Sequence, residues 1–142
     1  PNTYLILPMH KNKIVREPLK QILGSHERAI LTEPLAYDKL VAVLKKCTLV
    51  LTDSGGLQEE APSLGKPVLV LRTKTERLEG ILSGTAKLIG TNPEKILSET
   101  NLLLNNENIY SSMARAQNPY GDGNSSQKII CACENYLFNK IL

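Results

Sequence analysis

The sequence is poor in the residues on which contacts with nucleic acids and membranes depend. It has no tryptophan, one phenylalanine and an aromatic content of 4%, too few for a platform on which bases stack. The formal net charge is only +3, which argues against nucleic acid as a partner and suits a small anionic ligand. No apolar run reaches the roughly 18 residues of a membrane-spanning helix. Neither a signal peptide nor a membrane anchor is indicated, so no membrane partner is expected. Cysteine is scarce as well. Cys47, Cys131 and Cys133 are odd in number, and the C-x-C spacing of the last two fits neither a zinc knuckle nor a redox C-x-x-C pair. They read as reduced, structural cysteines of a cytosolic protein, and no metal site is expected.

What is present has the make-up of an average globular domain. Hydrophobic residues contribute 42% and charged residues 22% of 142 positions, enough chain for one domain with an ordinary core. The chain opens at Pro1 and enters an apolar strand pattern almost at once, so residues 1–142 are expected to be one α/β domain taken from a longer protein.

Five short apolar runs alternate with helical patterns. The runs are residues 4–7, 29–32, 47–52, 68–71 and 86–90. Asn12 is placed to cap a helix carrying Val15, Leu19, Ile22 and Leu23, with Pro18 expected to kink or split it and Gly24 to stop it. A second helix spans Tyr37 to Lys46, and a third follows Gly56 with Leu57, Ala61 and Leu64 on its apolar face. Thr73 and Glu76 have capping-box spacing for a helix ending near Ser83 and Gly84. Helices from Pro93, with Ile96, Leu102 and Leu103 inward, from Glu107 to Ala116, and after Asn124 complete the pattern. Strands alternating with helices over short connections imply an open parallel sheet of about five strands with helices on both faces. The run at 47–52 is apolar without alternation, which favours a central strand.

One stretch organises the rest: Leu49-Val50-Leu51-Thr52-Asp53-Ser54-Gly55-Gly56-Leu57-Gln58-Glu59-Glu60. A strand that ends in Ser-Gly-Gly and opens directly into a helix aims unpaired backbone N–H groups beyond the strand end, where they attract an anion. Gly55 and Gly56 lack a Cβ, so a phosphate could approach the backbone. The hydroxyl of Ser54 serves either as helix cap or as a donor to that phosphate. The pattern is neither a Walker nor a Rossmann motif. A second polar cluster, Arg72-Thr73-Lys74-Thr75-Glu76-Arg77, closes the next strand and would bring cations to the same crevice. His10 lies just past the end of the first strand, again at the ligand-binding edge of a parallel sheet.

With these clusters in place, the chain resembles the C-terminal domain of the non-hydrolysing UDP-N-acetylglucosamine 2-epimerases. The likeness is carried by Met9-His10-Lys11-Asn12, by residues 53–62, and by Gly65-Lys66-Pro67-Val68-Leu69-Val70-Leu71-Arg72. Thr75-Glu76-Arg77-x-Glu79 and Asn118-Pro119-Tyr120-Gly121-Asp122-Gly123 follow in the family's order. Leu40 stands where the family often has an aromatic residue near the uracil, Thr73-Lys74 replaces an acidic-Thr pair, and Leu78 replaces a proline.

The resemblance implies the Rossmann-like C-terminal domain of a two-domain GT-B fold, here without its first strand. It implies a cytoplasmic enzyme that interconverts UDP-N-acetylglucosamine and UDP-N-acetylmannosamine by UDP elimination and re-addition, without a cofactor, as a homodimer. Ser54, Gly55 and Gly56 would contact the diphosphate, Glu60 would accept hydrogen bonds from the ribose hydroxyls, and Arg77 would stabilise the leaving diphosphate. His10 would border a second, regulatory nucleotide-sugar site. No catalytic residue is expected in this chain; the catalytic carboxylates and a further histidine would precede Pro1, in the N-terminal domain and the segment that follows it, so the isolated chain should not catalyse. A hydrolysing epimerase, a GT-B glycosyltransferase of another sugar nucleotide, and a non-catalytic nucleotide-binding module remain alternatives.

Overall fold

The computed structural model describes residues 3–138. The chain divides between Lys45 and Lys46 into two compact units. In the first, β1 (Leu5–Pro8) and β2 (Ala29–Thr32) pair in parallel with Leu5 opposite Ala29, joined through α1 (Lys13–Leu23). Helix α2 (Tyr37–Lys46) then leads out of the unit. Asn12 caps α1 by accepting from the Ile14 N–H at 3.0 Å. Of the kink or split expected at Pro18, the split does not occur: α1 runs unbroken through it. Pro18 and Ile14, whose carbonyl loses its helical donor to the proline, are both exposed, which leaves that carbonyl open to solvent.

The second unit holds β3 (Val50–Thr52), α3 (Gly55–Ser63), β4 (Val68–Val70), α4 (Leu78–Ser83) and β5 (Ala86–Leu88). Helices α5 (Pro93–Asn105), α6 (Glu107–Ala114) and α7 (Ser125–Phe138) follow. Its sheet is parallel in the order β3-β4-β5, with Val50 opposite Val68 and Val68 opposite Ala86. The fold class is therefore α/β with parallel strands, as the alternating pattern implied. The five strands are hydrogen-bonded as a pair and a triple rather than as one run.

The central strand of the triple is β4, not β3. Val68, Leu69 and Val70 are all within 1% of full burial, whereas Leu51 in the middle of β3 is 37% exposed. Burial on both faces, which the apolar run at 47–52 suggested for β3, belongs to the strand with neighbours on either side. Leu69 packs with Ile89 and Leu103, and Leu49, Leu71, Ile96 and Met113 close the cluster. Leu102, expected inward, is exposed, because α5 presents Leu103 to the core one step further round the helix.

Helix α3 packs on β3 and β4, and α4 on β5. The buried face of α3 is Gln58, Ala61 and Pro62 rather than Leu57, Ala61 and Leu64. Gly84 ends α4 in the left-handed conformation at φ 82°. Cys47 is half-buried, while Cys131 and Cys133 are exposed on α7 and therefore play no part in a core. Among the described residues no helix is long and apolar enough to cross a membrane, and no group of His, Cys, Asp and Glu is arranged to hold a metal ion.

Candidate functional site

The site begins where β3 stops. Thr52, buried at the strand end, accepts from the Ser54 N–H at 3.0 Å through its hydroxyl. Ser54 is the N-cap residue of α3, yet its side chain makes no capping hydrogen bond. The first bond of the helix runs from the Gln58 N–H to the Ser54 carbonyl at 3.3 Å. The N–H groups of Gly55, Gly56 and Leu57 precede that bond and are the donors at the positive end of the helix dipole.

Glu60 stands one turn along the same helix. A methyl group built on Gly56 would lie 3.6 Å from Glu60 Oε1 and 3.9 Å from Ser54 Oγ, so hydroxyl, glycine backbone and carboxylate form one cluster. Glu60 Oε2 is buried and has no hydrogen-bond partner among the described residues. A buried carboxylate oxygen without a donor is costly, which marks it as an acceptor for something the folded chain does not provide.

The loop after β4 completes the site. Val70 is in register with Thr52, so the segments leaving β3 and β4 emerge side by side. Arg77 donates from Nε to Glu59 Oε1 at 2.6 Å and lies 3.2 Å from Glu76 Oε1 through Nη1. Its guanidinium flanks the glycine turn: a methyl group on Gly55 would lie 3.5 Å from Arg77 Cζ and Nη2 and 3.3 Å from Glu76 Oε1. Only a glycine leaves that approach open. The Glu59 hydrogen bond, ahead of the charges of Glu59 and Glu76, raises the already high pKa of Arg77, so the group is a permanent cation. A backbone hydrogen bond and then the neighbouring Arg72 and Arg77 hold the Glu76 carboxyl below its ordinary range.

The structure brings one group of the expected site residues together and differs from expectation in several details. Ser54, Gly55, Gly56, Glu60 and Arg77 converge at the carboxyl ends of β3 and β4. His10 belongs to the first unit, where it is exposed and its Nδ1 accepts from the Asn12 N–H at 3.1 Å. The expected capping box of Thr73 and Glu76 does not form. Helix α4 starts later, at Leu78, and Thr75 rather than Thr73 acts locally, its hydroxyl accepting from the Arg77 N–H at 3.1 Å. The cluster is also less cationic than expected, since Arg72 is tied to Glu76 at 3.0 Å.

Three residues that hold the site together had no role assigned from sequence. Gln58 is fully buried and bonded at both ends of its amide, to Thr75 Oγ1 at 2.7 Å and to the Ser54 carbonyl at 3.2 Å. Thr75 joins it to Arg77. Tyr120, from the loop before α7, accepts from the Gly80 N–H at 3.0 Å and donates to the Arg77 carbonyl at 3.4 Å. Burial raises the Tyr120 pKa, which keeps the phenol protonated. With Pro119, Glu59, Glu76, Glu79 and Arg77 it lines a polar cleft of about 360 Å³. No local signal marked these three residues: with Leu57, Ala61 and Leu64 read as the apolar face of α3, Gln58 passes for a solvent-facing polar residue.

Comparison with known proteins points to one family. A family model described as UDP-N-acetylglucosamine 2-epimerase matches residues 1–134. The chain is 50% identical over 135 residues to the UDP-N-acetylglucosamine 2-epimerase of Salmonella typhimurium, covering 95% of this chain and 36% of that protein. Among solved structures, S. aureus MnaA with UDP aligns at 50% identity and a TM-score of 0.89, covering 94% of this chain and 37% of that one. The UDP-GlcNAc 2-epimerase of Neisseria meningitidis, bound to UDP-GlcNAc, aligns at 42% identity and a TM-score of 0.87, covering 93% and 36%. The chain spans about a third of the length of the curated relatives it matches.

Proposed function

The chain belongs to the UDP-N-acetylglucosamine 2-epimerase family, and on that premise we propose that it is the nucleotide-holding part of an enzyme that interconverts UDP-N-acetylglucosamine and UDP-N-acetylmannosamine. The observation that carries the assignment of the site is the convergence of the Ser54 hydroxyl, the Gly55-Gly56 turn, the partnerless Glu60 oxygen and the Arg77 guanidinium at one strand edge. Each group matches one part of the nucleotide. The N–H donors of α3 and the Ser54 hydroxyl suit phosphate oxygens. Glu60 Oε2 suits a ribose hydroxyl, which supplies the donor it lacks. Two relatives with solved structures carry UDP or UDP-GlcNAc, which supports the same ligand class here.

In this proposal a base removes the proton at C2 of the sugar while the C1–O bond to the diphosphate breaks, leaving a glycal and UDP. Re-addition of UDP with protonation of the opposite face at C2 inverts that centre. Negative charge builds on the departing diphosphate, and fixed donors with a permanent cation stabilise it more in the transition state than in the bound substrate. Residues 1–142 form part of the C-terminal domain of a two-domain cytoplasmic enzyme, active as a homodimer without a cofactor. Base and catalytic carboxylates come from the remaining length of the protein, and His10 borders a second, regulatory nucleotide-sugar site.

The test is product analysis of the intact protein supplied with UDP-N-acetylglucosamine, alongside calorimetric titration with UDP. Formation of UDP-N-acetylmannosamine, with UDP binding weakened by Ser54→Ala and Glu60→Ala, is the expected result. Release of free N-acetylmannosamine with UDP, transfer to an acceptor, or binding indifferent to both substitutions overturns the reading.

A further inference from the structure

We infer that Gln58 and Thr75 are positioning residues that set Arg77 against the Ser54-Gly55 turn and thereby govern departure of the diphosphate rather than binding of the nucleotide. The inference rests on the nucleotide-site reading above, which places Arg77 at the leaving group.

Gln58 is fully buried in a face where Ala61 and Pro62 already supply the contact with the sheet. An amide there is tolerated only with both ends bonded, and the partners are informative. Its Nε2 donates to the carbonyl of Ser54, the residue that opens the phosphate turn, at 3.2 Å. Its Oε1 accepts from the Thr75 hydroxyl at 2.7 Å, and Thr75 Oγ1 accepts in turn from the Arg77 N–H at 3.1 Å.

The polarity of the chain is fixed throughout. Thr75 has one hydroxyl proton, and donating it to Gln58 leaves the oxygen lone pairs for the Arg77 N–H. Rotating the amide by half a turn would set Gln58 Oε1 against the Ser54 carbonyl, two acceptors 3.2 Å apart. The relay therefore has a single arrangement. It joins segments 17 residues apart in sequence, the two that carry the helix donors and the cation.

Other contacts hold different parts of Arg77. Glu59 accepts from its Nε at 2.6 Å, and Tyr120 donates from its hydroxyl to the Arg77 carbonyl at 3.4 Å. Among the described residues, Thr75 alone ties the Arg77 N–H to the phosphate turn. Because the relay reaches Arg77 through its backbone, breaking it shifts the guanidinium by a fraction of its reach while leaving Ser54, Gly55, Gly56 and Glu60 in place. Ground-state binding of the nucleotide is then preserved, and the misplaced cation lowers the rate of bond cleavage.

The experiment uses the intact protein and four variants: Thr75→Val, Thr75→Ser, Arg77→Ala and Thr75→Val in the Arg77→Ala background. Epimerisation gives kcat and KM, calorimetry gives UDP affinity, and thermal unfolding gives stability. Thr75→Val is expected to lower kcat about ten- to hundredfold, the size of effect produced by a misplacement of roughly 1 Å. KM and UDP affinity should stay within about twofold, and Thr75→Ser should recover most of kcat. In the Arg77→Ala background the valine substitution should cost nothing further, because the group it positions is gone. An equal loss of kcat with and without Arg77 overturns the relay, as does a loss that Thr75→Ser does not rescue. Gln58→Met provides a second break at the other end of the relay and must show the same split between kcat and KM. If instead UDP binding ignores Ser54→Ala and Glu60→Ala, the site reading itself has failed, a result separable from failure of the relay alone.

Discussion

Replacing Gly80 by alanine should destabilise the protein, and removing one oxygen from Tyr120 should reverse the sign of that effect. Gly80 lies inside α4, where alanine normally gains roughly 0.5–1 kcal/mol over glycine. Here a methyl group would sit 2.7 Å from the Tyr120 hydroxyl, well inside contact distance. The phenol has no slack, since it accepts from the Gly80 N–H at 3.0 Å and donates to the Arg77 carbonyl at 3.4 Å. Pushing it aside forfeits about 1–2 kcal/mol of hydrogen bonding and adds about 1–3 kcal/mol of overpacking. Gly80→Ala should therefore cost about 2 kcal/mol net. Tyr120→Phe should cost about 1–2 kcal/mol, chiefly for the Gly80 donor it strands. With the oxygen gone, the nearest neighbours of the new methyl are Thr85 Oγ1 and Tyr120 Cε2, both at 3.5 Å, which is ordinary contact. In the phenylalanine background the alanine should be neutral or stabilising, giving a coupling of about 2 kcal/mol. Urea denaturation measures it as the shift in midpoint at constant slope. A cycle additive to within about 0.5 kcal/mol would refute the reasoning.

Glu60→Gln should raise the melting temperature slightly, because it neutralises a carboxylate whose Oε2 is buried without a donor, and should weaken UDP binding in calorimetry by about tenfold as an ionised acceptor is lost. Gly55→Ala should leave stability nearly unchanged but abolish UDP binding, since its methyl enters the space between the turn and Arg77. The acid limb of stability should be shallower in Glu76→Gln. The Glu76 carboxyl is held below its ordinary value of 4.5, so its contribution is complete above that value and is lost as pH falls through the depressed one. Thermal unfolding between about pH 5 and about pH 3 reads the difference.

Local signals in the sequence were dependable where the physics is local. Asn12 caps α1 through a side-chain bond to a residue two further on, as its place in the sequence implied, and the strand-turn-helix at Ser54 is written in adjacent residues. Parallel pairing of β3 with β4 followed from the short helical connection and brought the two polar clusters to one edge. What sequence did not disclose depends on partners far along the chain. Gln58 meets Thr75 across 17 positions and Tyr120 meets Gly80 across 40. Neither pair leaves a periodicity, so Gln58 looks like one more polar helix residue. The capping box of Thr73 and Glu76 failed for a related reason: α4 begins only at Leu78, and its Gly80 N–H is bonded by Tyr120 from 40 positions away rather than by a residue of its own segment. Centrality of β4 is likewise a property of the assembled sheet, since both apolar runs look alike before pairing.

The arrangement also separates charge from direction in the way an anion is received. Glu59, Glu76 and Glu79 share the cleft with Arg77, and Glu60 stands beside the turn. Carboxylates therefore outnumber guanidinia, even with Arg72 counted at Glu76. On the proposed reading, net attraction cannot be what selects a diphosphate at such a site. Selection has to come from oriented donors: the first N–H groups of α3, the Ser54 hydroxyl that makes no cap, and one guanidinium whose orientation is fixed. Carboxylates are the means of fixing it. Glu59 and Glu76 bind two different nitrogens of Arg77, which removes the rotational freedom a lone arginine would keep, and the long-range hydrogen bonds of Gln58, Thr75 and Tyr120 hold its backbone. Pre-orientation of this kind matters more to a departing group than to a resting ligand, because donors already aimed at the developing charge need no reorganisation when the bond breaks.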